Sequence, residues 1–203
     1  MIRKRYLVWS VSILVVMLMA GAATAYAQAT DAPAVEPDKS MASANEAFAK
    51  GDANKASDQI KKAAAYLHTQ EKKVAKEASA GLKKAADDLD RLSSDVKKGA
   101  VKSADDLKKA FAKADHALAT AWHETAEQEQ KAGKAASTSI THASDALEGA
   151  AKWTGAKLDA GAQAAVDATH AARRGARMGA DAIGRAIRDI GEGIADMGKK
   201  IGG

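Results

Sequence analysis

Apolar residues recur along most of this chain at alternating steps of three and four, the spacing that draws one stripe down a helix. After Gly51 the stripe runs Ala56, Ile60, Ala63, Leu67, Gln70 and Val74, takes two successive steps of four through Ala78 and Leu82, and continues through Ala85, Leu89, Leu92 and Val96. It predicts one helix over residues 53–98, about 68 Å long at about 1.5 Å per residue. A second stripe, through Leu107, Phe111, Ala114, Leu118, Ala121 or Trp122, and Thr125, weakens between Gln128 and Gly133 and returns at Ile140, Ala143, Leu147 and Ala150. It predicts a helix over 103–148, with a break between Gly149 and Gly155 around Trp153. A third helix, over 153–201, passes through the small-residue segment Ala160 to Ala172. Ser43 followed by Glu46 predicts a capping box that opens a short helix over 43–50, ended by Gly51. Asp52 and Ser103 are N-cap candidates, and Lys97 and Lys98 before Gly99 mark a C-terminus. The expected fold is all-α: a single domain over 40–203, an elongated up-down-up bundle of three long helices plus a short N-terminal one.

The most regular stretch is three seven-residue lines, IGRAIRD, IGEGIAD and MGKKIGG, beginning at Ile183, Ile190 and Met197. Their seam is Ile183, Ile187, Ile190, Ile194, Met197 and Ile201, flanked by Gly184, Gly191 and Gly198 on one side and by Ala186 and Gly193 on the other. Each interior glycine costs a helix roughly 1 kcal/mol relative to alanine, so this segment requires a close partner, protein or lipid. Gly175 and Gly179 have the spacing that lets membrane helices approach, but Arg173, Arg174 and Arg177 exclude a transmembrane reading. Two readings remain. Arg185 and Arg188, with Lys199 and Lys200, can face an anionic membrane surface while the isoleucines enter the acyl boundary. Alternatively, the seam closes the bundle core, which the first two helices also require. The same geometry is met by a helical protein partner or by another copy of the chain.

Composition limits how much core these stripes can build. Arg3, Lys4 and Arg5 precede an uncharged apolar run that ends in Ala25, Tyr26, Ala27, which predicts a signal peptide over 1–27 and export to the periplasm or beyond. The alternative is an uncleaved inner-membrane anchor. Residues 28–39, with Pro33 and Pro37, read as a flexible linker. Without the leader the formal charge falls from +5 to about +2, because three basic residues leave and no acidic one does. That near-neutral balance, with interleaved signs, argues against nucleic acid as a partner. About a quarter of the remaining chain is alanine, and the large apolar residues are only about 16% of it (28 of 176). Alanine favours helix but buries little surface, so the core is expected to be Ala-rich and thin.

Candidate chemistry is sparse. The chain has no cysteine, hence no disulfide, thiolate metal site or cysteine-linked haem. His116 and His123 are seven apart and share a helix face with Glu127, a triplet able to hold zinc or copper weakly. If Leu107, Phe111, Leu118 and Thr125 define the seam, however, both histidines fall on the solvent side. There is no HExxH, GxSxG, P-loop or GxGxxG pattern, and Asp87 with Asp88, like Asp105 with Asp106, point in different directions on a helix. No enzymatic activity and no cofactor are expected.

From Ala44 to Leu67 the pattern AxxAFxxGDxxKAxxxIxxAAAYL resembles the helix hairpins of YfdX-like periplasmic proteins. That resemblance implies an exported helical protein linked to stress or acid tolerance, and it carries over no site residue. The long Ala/Lys helices are also similar in composition to apolipoprotein-type and late-embryogenesis-type amphipathic helices. The expected function is an exported non-enzymatic protein with a structural, interaction or envelope-stress role. The alternatives are a peripheral lipid-binding helix protein and a weak metal-binding bundle.

Overall fold

The computed structural model describes residues 37–202, and the signal-peptide and most of the linker expectations lie outside them. The described chain forms seven helices: α1 (Pro37–Ala49), α2 (Ala53–Glu71), α3 (Lys76–Lys97), α4 (Ala104–Lys131), α5 (Ser137–Thr154), α6 (Ala160–Arg173) and α7 (Ala180–Gly202). The all-α class is as expected, but each predicted long helix is a hairpin of two shorter ones.

The breaks have local causes. The predicted 53–98 rod folds back at Lys72–Ala75, next to the two successive steps of four, and the Ala75 backbone N–H left by the break donates to Thr125 Oγ1 on α4 at 2.9 Å. The predicted 103–148 helix stops where its stripe weakens, and Gly133 takes a left-handed φ of 68° there. The third breaks after Arg173, at Gly175, whose φ is 104°. Gly149 does not interrupt the chain; α5 runs through it and through Trp153 to a left-handed cap at Gly155. Folding back is what a thin stripe requires. An alanine-lined seam buries enough apolar surface only when two helices share it.

The helix starts were more legible. Asp52 accepts from Lys55 N at 3.0 Å and Ser103 from Asp105 N at 3.0 Å, each as an N-cap. The Ser43 capping box is not one, since α1 already begins at Pro37, within the expected linker. Proline suits a first helical position, where its missing N–H is no loss. Glu46 instead pairs with Lys50 one turn on.

Consecutive helices pack against each other, and two closures complete the architecture. α1 returns to α4, so that α1, α2, α3 and α4 form one circuit; α7 returns to α4 and α5, so that α4, α5, α6 and α7 form a second. α4, the longest helix, belongs to both. Buried hydroxyl pairs cross two hairpins: Ser57 with Ser93 between α2 and α3 at 2.9 Å, and Ser144 with Thr169 between α5 and α6 at 2.7 Å. Phe111, fully buried on α4, meets Trp153 of α5 edge-on at 5.1 Å between centroids. Among the described residues, no helix is long and apolar enough to cross a membrane.

Candidate functional site on the shared helix

Because α4 is a wall of both circuits, more than one of its faces is covered, and its histidines lie against α7 rather than on an open solvent face. His116 and His123 are half-buried and point at α7. The His123 Nε2–H donates to the Ile187 carbonyl at 2.8 Å, and the His116 Nε2–H donates to the Ile194 carbonyl at 3.0 Å. A carbonyl only accepts, so each imidazole carries its proton on Nε2 in these contacts. The two accepting carbonyls, like the two histidines, are seven residues apart, and the helices run antiparallel.

The glycines explain how the side chains reach backbone. Gly191 and Gly198 each lie four residues beyond an accepting carbonyl. A Cβ on Gly191 would lie 2.7 Å from His123 Nε2, and one on Gly198 would lie 3.0 Å from His116 Nε2. Gly184 continues the ladder: a Cβ there would lie 3.0 Å from Gln130 Nε2. Thus Gly184, Gly191 and Gly198 match Gln130, His123 and His116 rung for rung. On the other flank, a Cβ on Gly193 would lie 2.6 Å from Ala162 Cβ and 3.0 Å from Leu147 Cδ2, bringing α7 against α6 and α5. Of the seam, Ile187, Ile190, Ile194, Met197 and Ile201 are buried and Ile183 is half-buried, whereas Arg185 and Arg188 are exposed.

The triplet proposed for metal is not gathered into one place. Each histidine Nε2 is engaged by its own carbonyl, and Glu127 pairs with Lys131 at 3.5 Å. No group of three or more His, Asp or Glu side chains among the described residues is arranged to hold a metal ion. His68 lies near Glu71 on its own helix and near Asp87 and Asp90 of α3, and His170 lies near Asp145 and Glu148 of α5, all exposed or half-buried. His142 stacks on Trp122 with ring centroids 4.6 Å apart.

One constellation was not foreseen. Asp115, 1% exposed on α4, meets Asp38 of the first turn of α1 over Gly149 of α5. A Cβ on Gly149 would lie 2.7 Å from Asp115 Oδ2 and 2.9 Å from Asp38 Oδ1, so both oxygens lean into the notch the glycine leaves. Burial pushes the Asp115 carboxyl well above the usual carboxylate range, and the Asp38 carboxyl adds to the rise; the Trp153 indole N–H and Lys152 oppose it. The indole N–H is near enough to act on Asp115 but falls short of hydrogen-bond geometry. The sequence did hold a signal for this pair. Asp115 is four residues after Phe111 and three before Leu118, a charged residue on the seam itself.

Comparison with protein-family models, with curated proteins and with solved structures gave no match.

Proposed function

We propose that this chain is an exported, non-enzymatic helical protein with a structural or interaction role in the cell envelope, working through helix surfaces. One observation carries the reading: the half-buried histidines of α4, its best candidates for chemistry, are engaged in holding α7 through backbone carbonyls. Buried polar groups that each satisfy a partner across a helix pair fix which helices pair and in what register. The Ser57–Ser93 and Ser144–Thr169 contacts act in the same sense. The partner this reading calls for is another helical protein or a second copy of the chain, meeting the exposed side of α7 that carries Arg185 and Arg188.

A second reading draws on the same face. Arg185, Arg188, Lys199 and Lys200 are exposed along α7 outside its buried isoleucine seam, a row of positive charge that can face anionic headgroups. A photo-crosslinking residue at Arg185 or Arg188, activated in intact cells, is expected to give a discrete protein adduct in the envelope fraction. The intact mass of the recovered chain tests cleavage after Ala27. Sedimentation with phosphatidylglycerol vesicles is expected to leave the protein in the supernatant. Retention on the vesicles together with no protein adduct would replace the first reading with the second.

A further inference from the structure

Asp38 and Asp115 lie where the first turn of α1 meets α4 beside Gly149 of α5. Oδ1 of Asp38 and Oδ2 of Asp115 are both buried, and neither receives a hydrogen bond from any described N–H or O–H. Two bare carboxylates leaning into one notch repel, and at this depth water does not screen them. The arrangement is satisfied if one carboxyl carries a proton and donates it to the other, as in carboxyl pairs that titrate as a unit. The charged groups acting on Asp115 are Asp38 from α1 and Lys152 from α5; Lys152 is exposed and lies 5.6 Å from the Trp153 ring centroid, over the indole. The neutral Trp153 N–H is the remaining polar influence.

We propose that Asp38 and Asp115 form a one-proton latch, which clasps the first turn of α1 onto α4 and α5 while it holds the proton and releases that turn when the proton leaves. The rest of α1 has its own anchors, since Met41 and Ala44 are completely buried and Ala47 nearly so. Opening is therefore confined to the first turn of α1. Acid closes that turn and alkali loosens it. The fold thus carries a proton-binding site distinct from the histidine contacts to α7.

The test is a titration of the full-length chain labelled with 13C at the aspartate carboxyls, followed by NMR, with amide exchange read at Ser40 and Met41. One aspartate is expected to titrate above the others, and that signal should vanish in Asp115→Asn. Protection of Ser40 and Met41, corrected for the intrinsic pH dependence of exchange, should fall about tenfold or more across the same step. In Asp115→Asn the amide donates to Asp38 permanently, so protection should stay high at all pH values; Asp38→Asn supplies a second variant on the less buried partner. Aspartates that all titrate together in the ordinary range would overturn the latch. So would α1 protection in the wild-type chain that ignores the step, a result that requires no variant to fold.

Discussion

His123 sits directly over Gly191: its Nε2 occupies the space a Cβ there would need, 2.7 Å away, while its proton reaches the Ile187 carbonyl. The contact sets two effects of glycine in opposition. Replacing an interior helix glycine by alanine gains up to about 1 kcal/mol from backbone entropy. At Gly191 that gain meets an imidazole held by a hydrogen bond. Gly191→Ala is expected to lower stability by about 1–2 kcal/mol, since the ring must leave its acceptor. Gly193→Ala, facing Ala162 Cβ at 2.6 Å, should cost at least as much, because backbone rather than a rotatable side chain must move. Gly81→Ala on the exposed side of α3, where nothing lies within 4 Å, should instead raise stability by about 0.5–1 kcal/mol. Urea unfolding of the three variants would decide whether the sign depends on position.

The histidines should act locally. His116→Ala and His123→Ala each remove one hydrogen bond to a carbonyl that retains its helical partner, so each is expected to cost only about 1 kcal/mol. Amide exchange should accelerate in α7 far more than in α2 or α3. Uniform acceleration through all helices would contradict the assignment of these side chains to the α4–α7 contact.

A different pattern is expected for the buried hydroxyl pair between α2 and α3. Ser93 Oγ also approaches the Ser57 carbonyl at 3.1 Å, so Ser57→Ala leaves Ser93 an acceptor for its proton. Ser93→Ala strands the Ser57 hydroxyl and should be the more costly single change, by about 1–2 kcal/mol. The double variant should cost less than the two singles added together, because it leaves no hydroxyl of the pair unpaired. A double-mutant cycle measured by denaturant unfolding reads this directly.

The dependence on pH should have two limbs. Hydrogen bonds from Lys50, Lys83 and Lys200 hold Glu46, Asp87 and Asp196 below the usual carboxylate range. Their folded-state pKa values are depressed, so the stability they add is present above the unfolded value and is lost as pH falls through the folded one. All three pairs are exposed, so this acid limb should be shallow and flattened further by salt. Asp115 has the opposite sign: its folded pKa is raised, the native state binds the extra proton, and stability falls as pH rises from the ordinary carboxylate range. Thermal melts from about pH 3 to pH 9 are expected to show a maximum on the mildly acidic side. A monotonic rise with pH would contradict the burial of Asp115.

Much of this was legible from spacing alone, and the remainder depended on which helices meet. The stripes located nearly all the helical residues, and Asp52, Ser103 and Gly99 marked ends through chemistry that acts within a few residues. The stripe does not by itself fix the breaks at Lys72–Ala75 and at Ala132–Ala136, because a three-four pattern is the same whether one helix carries it or two share it across a turn. Pro37, expected in the linker, instead opens α1, because a first helical turn accepts proline. The histidines depart from the expected solvent side because α4 has more than one covered face. The sevenfold spacing of His116, His123 and Gln130 matches that of Gly184, Gly191 and Gly198, but only an antiparallel pairing of α4 with α7 makes the match visible. The expected tight packing of the glycine-flanked seam does have a structural counterpart, with α4 on one flank and α5 and α6 on the other.

The sharing of α4 has a consequence for how the molecule assembles. Each hairpin joins neighbours in sequence and closes a short loop, whereas the two histidine contacts to α7 span 78 and 64 residues. Short closures are fast and long ones slow. During synthesis, the α1–α3 side of α4 can be covered at once, while its histidine face stays open until residues 180–202 have been added. For that interval the nascent chain presents a wet, imidazole-lined groove, and its last step of maturation is the filling of that groove by its own most apolar seam.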